Sequence, residues 1–219
     1  MKLTLYQLEI ARRNPQRFVE VLAATAQEKK KVKFNSKQFR TYLTEALGAY
    51  HNGKSWPGIM TEFSRKCREK LVRIHYHNDR TDGYEKTLKS YFRTYPAQGV
   101  TFIEMGKRFS LPAGPHLITG KVDRFDLRSP QGYRATDIQT SPNKSWRRKL
   151  RWPLIQQALA LEMNGSAAEV EVGVHCFETG VPDYHIFEHA ELEAALAEAE
   201  SICDEVSGYA EDYDIDDIF

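Results

Sequence analysis

Near residue 96 this chain changes its hydrophobic period, and that change limits what it can fold into. Earlier apolar residues recur at helical spacing; afterwards they fall into short extended runs bounded by Gly and Pro. Strands are expected over 100–111, 117–127 and 133–140, the last two separated by the turn Ser129-Pro130-Gln131-Gly132. A helix from about Ser145 to Met163 follows, with Leu150, Leu154, Gln157 and Leu161 on one stripe and Asn164-Gly165 at its end. Two more strands (170–177, 184–187) and an Ala-rich helix from Glu191 to about Val206 complete the pattern. Hairpin strands, a helix and a further strand predict an α/β fold, a small mixed sheet with helices on its faces.

The first ninety-odd residues predict a helical subdomain. Thr4 and Gln7 fit a capping box, and Asn14-Pro15 breaks or kinks the first element. Ser36 is placed to cap a second helix that ends near Asn52-Gly53. A third starts at Ser55 with Pro57 in its first turn, and a fourth covers about Asp82 to Arg93. The expected organisation is a helical part over 1–95, a core over 96–208 and an acidic tail over 209–219. At 219 residues the chain can bury one substantial core.

Charge is segregated along the chain. Residues 1–95 carry a net +11, residues 96–165 a net +6 and residues 166–219 a net −16. Two readings are open: a polyanionic partner for the basic part, or an acidic end packed on the basic front. Three scattered cysteines without a Cys-x-x-Cys pair argue against disulfides and a structural zinc site. With no apolar run of spanning length and no signal-peptide pattern, a cytoplasmic location is expected, with no membrane.

The chemistry concentrates between Gly120 and Thr140. Asp123 and Asp137 lie on consecutive extended segments, so paired strands would bring both carboxylates to one hard divalent cation. Side chains two apart share a strand face, which groups Lys121 with Asp123 and Asp137 with Gln139. The Ile138 carbonyl is a natural further ligand. Equally, Asp123 can pair with a strand arginine and Asp137 can close a turn.

Gly120-Lys121-Val122-Asp123-Arg124, then Asp137-Ile138-Gln139-Thr140, then Ala158-Leu159-Ala160-Leu161, resemble the core of the PD-(D/E)XK (restriction-endonuclease-like) nuclease superfamily, specifically its RecB-like branch. The preceding strand with Glu104 and the opening Leu3-Thr4-Leu5-Tyr6-Gln7-Leu8 extend the likeness. The resemblance implies a metal-dependent nuclease acting on DNA, with RNA also open, in repair, recombination, mobile-element or defence settings. It implies Mg²⁺ or Mn²⁺ on Asp123, Asp137 and Ile138, with Glu62 as a further ligand, and a catalytic set of Asp123, Asp137, Gln139 and Lys121. The departures are specific. Gln139 stands where the family has lysine, so Lys121 or Lys144 would have to replace that ammonium. The family's Gln-x-x-x-Tyr helix pair is absent. Asn14 stands where a cysteine would bind an iron–sulfur cluster, so no cluster is expected. These departures keep a second reading open: a catalytically silent module that binds nucleic acid or a protein.

A basic cluster follows the second aspartate. Lys144, Arg147, Arg148, Lys149 and Arg151, together with Arg124, are expected to contact phosphates, with Trp146 and Trp152 available to stack on bases or buried in the core. The chain ends in Asp216-Asp217-Ile218-Phe219, which resembles the acidic, Phe-terminated tip of bacterial single-stranded-DNA-binding proteins. Such a tail would dock in a basic pocket of a protein partner, fold back on the chain's own basic face, or merely solubilise it.

Overall fold

The computed structural model describes residues 1–27, 36–69, 81–128, 132–139, 145–176 and 179–212. The chain opens with strand β1 (Lys2–Thr4) and helices α1 (Leu5–Ala11) and α2 (Pro15–Gln27). Thr4 and Gln7 form the expected capping box: the Gln7 N–H donates to Thr4 Oγ1 at 3.2 Å, and the Thr4 N–H donates to Gln7 Oε1 at 2.9 Å. The break at Pro15 has a mechanism. Asn14 caps the new helix, its Oδ1 accepting from the Arg17 N–H at 2.8 Å, and proline occupies the first helical position.

Helices α3 (Ser36–His51), α4 (Trp56–Glu69) and α5 (Thr81–Thr94) follow, close to the expected positions. The strands are β2 (Val100–Met105), β3 (Arg108–Ala113), β4 (His116–Lys121), β5 (Arg124–Arg128) and β6 (Tyr133–Gln139). Then come α6 (Arg151–Glu162), β7 (Val170–Cys176), β8 (Pro182–His185) and α7 (His189–Asp212). They build a three-stranded sheet, β1-β4-β3, and a five-stranded sheet, β2-β5-β6-β7-β8. The fold is a mixed α/β arrangement in which helices flank mixed sheets.

Two expected strands, 100–111 and 117–127, are each bent and shared between the sheets. Gly106, at φ +71°, breaks the first. The second breaks beside it at Val122-Asp123, and the two bends hydrogen-bond to each other. The Gly106 N–H donates to the Asp123 carbonyl at 2.8 Å, and the Val122 N–H to the Lys107 carbonyl at 2.9 Å. The opening residues also differ from expectation. Lys2–Thr4 is a strand parallel to β4, with Leu3 beside Ile118, so the N-terminus completes the smaller sheet. Pro112 is tolerated because β3 is an edge strand.

Alternation along the strands places a core on each face of the larger sheet. Phe125, Ala135, Val170, Val172 and Val174 face α6 and belong to a core shared with α1, α2 and α7. Ile138 faces the other way, into a core with Leu47, Phe63, Leu88 and Tyr91 of α3–α5. Helix α6 carries β6 into its parallel partner β7 and is buried nearly all round, as its run of Trp, Leu, Ile and Ala requires. It starts at Arg151, later than expected, after a short 3-10 turn over Trp146–Arg148. Helix α7 runs past the expected end because Ile202, Val206 and Ala210 continue a buried stripe into the expected tail.

Candidate functional site

The bend at Val122-Asp123 turns Asp123 inward. The β5–β6 register ends at Arg124 opposite Thr136, so one further antiparallel step sets Asp123 opposite Asp137. Both are buried, at 3% and 2% exposure. Asp123 Oδ2 accepts a hydrogen bond from the Ile138 N–H at 2.8 Å. In a strand the N–H and C=O of one residue point to the same side, so the Ile138 carbonyl also faces the Asp123 edge. The three oxygen-bearing groups gather toward the carboxyl end of β6, where it runs beside parallel β7. Open α/β sheets bind ligands in the crevice beyond such strand ends.

Arg151 closes this arrangement from the first turn of α6. Its Nη2 lies 2.6 Å from Asp137 Oδ2, and its backbone N–H donates to Glu9 Oε1 of α1 at 3.0 Å. Leu150, the residue before α6, makes no side-chain cap, so the Glu9 carboxylate supplies one where the helix dipole favours a negative charge. Nothing local in the sequence marks Glu9. Its role follows from α1 packing near a helix more than a hundred residues away.

Several expected site residues are placed elsewhere. Arg124 corrects the expectation of a phosphate contact: it is 0% exposed and fully engaged. It donates to Asp126 at 2.7 Å, Tyr91 at 2.6 Å, Gln98 at 3.1 Å, Tyr184 at 3.2 Å and Thr136 at 3.3 Å. Its guanidinium also lies over the Tyr95 ring, 4.6 Å from the centroid. The residue fastens α5 to the sheet. Burial pushes the Asp126 carboxyl above the ordinary carboxylate range, against the pull of Arg124. Burial, then the Arg124 charge, lowers His51 and His175 to about 4, so both are neutral at physiological pH.

Lys121 does not share a face with Asp123 through a continuous strand. It ends β4 in the smaller sheet and is exposed, whereas Asp123 is buried beyond the bend. Glu62 is exposed on α4 and paired with Lys66 at 3.1 Å, a pairing that holds its carboxyl below the ordinary range. Glu104 pairs with Lys107 at 3.4 Å. Gln139 ends β6, half-buried, opposite Cys176. Among the described residues, no group of three or more His, Cys, Asp or Glu side chains converges on a point where one metal ion could bind. Asp123, Asp137 and the Ile138 carbonyl are the oxygen-bearing groups that the pairing of β5 with β6 brings together.

The basic cluster is divided. Arg147 is paired with Asp183, whose other oxygen accepts the Trp146 indole N–H at 2.7 Å. Arg148 is exposed and Lys149 half-buried, while Lys144 lies outside the described residues. Trp146 and Trp152, at 2% and 0% exposure, are core residues and not a stacking platform. Part of the segregated charge is neutralised internally. Glu171 takes Arg128 at 3.2 Å and Arg134 at 2.7 Å, and Arg12 pairs with Glu198 of α7 at 2.5 Å. Asp216, Asp217, Ile218 and Phe219 lie outside the described residues. Among those described, no helix is long and apolar enough to cross a membrane.

No family model matches the chain, and no curated protein matches it. Among solved structures it is similar to a protein from Eubacterium rectale provisionally assigned as an exonuclease. That likeness has a TM-score of 0.58 at 10% identity, covering 95% of this chain and 82% of the other. At that identity the likeness is one of fold, and it extends over almost the whole chain.

Proposed function

We propose that this chain is a nuclease of the PD-(D/E)XK, RecB-like kind that hydrolyses phosphodiester bonds in DNA. The observation that carries the reading is the meeting of Asp123, Asp137 and the Ile138 carbonyl at the bend between the two sheets, beside the first turn of α6. The fold likeness to a provisionally assigned exonuclease supports it. The donor set suits a hard ion such as Mg²⁺ or Mn²⁺, which binds through one or two carboxylates and keeps several waters. Bound there, the ion would supply Lewis acidity and a water of lowered pKa. Hydrolysis adds one water across a P–O bond, OH to phosphorus and H to the leaving alcohol. Asp123, Asp137 and the Ile138 carbonyl would hold the ion, and the chain's basic residues would place the phosphate and offset the developing negative charge. Gln139, at the end of β6, hydrogen-bonds and so orients the water, while exposed Arg148 meets a flanking phosphate.

A second reading has its own support. Asp137 already has a cation on it and Gln139 brings none, as in a nuclease-derived module that binds nucleic acid without cutting. Cleavage of single- and double-stranded DNA, and of RNA, with Mn²⁺, Mg²⁺ or chelator separates the two. The nuclease reading expects metal-dependent cutting of DNA that Asp123→Asn and Asp137→Asn each reduce about a hundredfold or more. Absent cutting with retained DNA binding, insensitive to metal and to both substitutions, establishes the module instead.

A further inference from the structure

A phosphodiester site needs a positive group near the developing charge, and Gln139 cannot supply it. Lys121 is exposed on the other sheet, and Lys107 is held by Glu162 at 2.5 Å and Glu104 at 3.4 Å. Arg151 is already in place. Its Nη2 sits 2.6 Å from Asp137 Oδ2, with the arginine side chain 25% exposed and the aspartate side chain 3%. Its backbone is fixed by Glu9 at 3.0 Å, and its guanidinium packs 5.0 Å from the Trp152 ring centroid. The contact with Asp137 is through one nitrogen, and the Arg151 Nε is buried without an acceptor. The guanidinium is therefore anchored at the site but not locked to Asp137 by a two-point fork.

Resting on the nuclease reading above, we propose that Arg151 is, among the described residues, the cation that takes the place of the absent lysine, and that it competes with a divalent ion for Asp137. Without metal it sets a positive charge 2.6 Å from the buried Asp137 carboxylate. With the carboxylates engaged by metal, its N–H groups turn to the phosphoryl oxygens of the substrate. The charge has moved from the strand to the first turn of the next helix, where it still faces the same aspartate.

The test pairs Mn²⁺ titration calorimetry with single-turnover DNA cleavage for the wild type, Arg151→Gln and Arg151→Lys. Arg151→Gln should bind Mn²⁺ about tenfold more tightly, because a competing charge has gone. It should also cut about a hundredfold more slowly, because the same charge is missing in the transition state. Arg151→Lys should fall between, and adding Gln139→Lys to Arg151→Gln should restore part of the cutting. Equal, weaker or absent Mn²⁺ binding in Arg151→Gln overturns the proposal, as does tighter binding with cutting unchanged. A merely structural arginine would not tighten metal binding on removal. Asp123→Asn and Asp137→Asn are measured alongside. If both bind Mn²⁺ and cut as the wild type does, the nuclease reading at this site fails, whatever Arg151→Gln does.

Discussion

Replacing Arg124 by methionine keeps an unbranched apolar stem and removes a buried charge together with its five hydrogen bonds. The main consequence falls on Asp126, also 0% exposed, which loses its ion-pair partner and keeps the Tyr95 hydroxyl at 3.0 Å. Breaking a buried pair from one side costs about 3–5 kcal/mol. Loss of the cation over the Tyr95 and Tyr91 rings, 4.6 and 5.5 Å from their centroids, adds about 0.5–2 kcal/mol. Part returns when Asp126, already pushed upward by burial, takes a proton. A net loss of about 4 kcal/mol at pH 7.5 follows, or about 8–16 °C in Tm for a chain of this size. Urea unfolding and thermal melts at pH 7.5 and 5.5 measure it. The deficit should shrink at pH 5.5, and Arg124→Met with Asp126→Leu should be more stable than Arg124→Met alone. A loss below about 1 kcal/mol, with weaker DNA binding of shallower salt dependence, would refute the structural assignment. It would return Arg124 to the phosphate-contacting surface.

Two further outcomes concern stability. A Cβ at Gly120 would stand 2.5 Å from the Phe109 ring and 3.0 Å from Leu5 Cδ1. Gly120→Ala should therefore cost about 1–3 kcal/mol, partly recovered by adding Phe109→Leu; wild-type stability in the single variant sinks the packing argument. His51 and His175 are lowered to about 4 from the ordinary 6.5, so between these values the unfolded chain binds more protons. Their contribution is complete above about pH 6.5 and is lost as the pH falls toward 4. It amounts to roughly 3 kcal/mol for fully buried His175. Asp126, raised by burial, works in the opposite direction on the acid side. Urea unfolding across this range should show a smaller acid loss in His175→Asn, and an unchanged slope counts against the assignment.

The sequence by itself determined most of the element types, and it offered the meeting of the two aspartates as one of two open readings. Capping residues, the break at Asn14-Pro15 and the switch to period-two alternation act within a few residues, so they are legible without a partner. The spacing of Asp123 and Asp137 about one hairpin turn foreshadowed their juxtaposition for the same local reason. Tertiary structure decided the rest. Two consecutive segments each bend at one level and divide between two sheets, which separates Lys121 from Asp123 although they are two residues apart. An arginine that reads as a surface cation becomes the fastening of α5 to the sheet, because burial and hydrogen-bond partners come from β6, β8 and the end of α5. The acidic block meets the basic one because β7 runs parallel beside β6 and α7 packs on α1 and α2, so charges far apart in sequence become ion pairs. Arg151 reaches Asp137 only once α6 packs on the sheet, and Glu9 reaches Arg151 only once α1 lies beside the start of α6. Local propensity names the elements; long-range packing chooses which charges face one another.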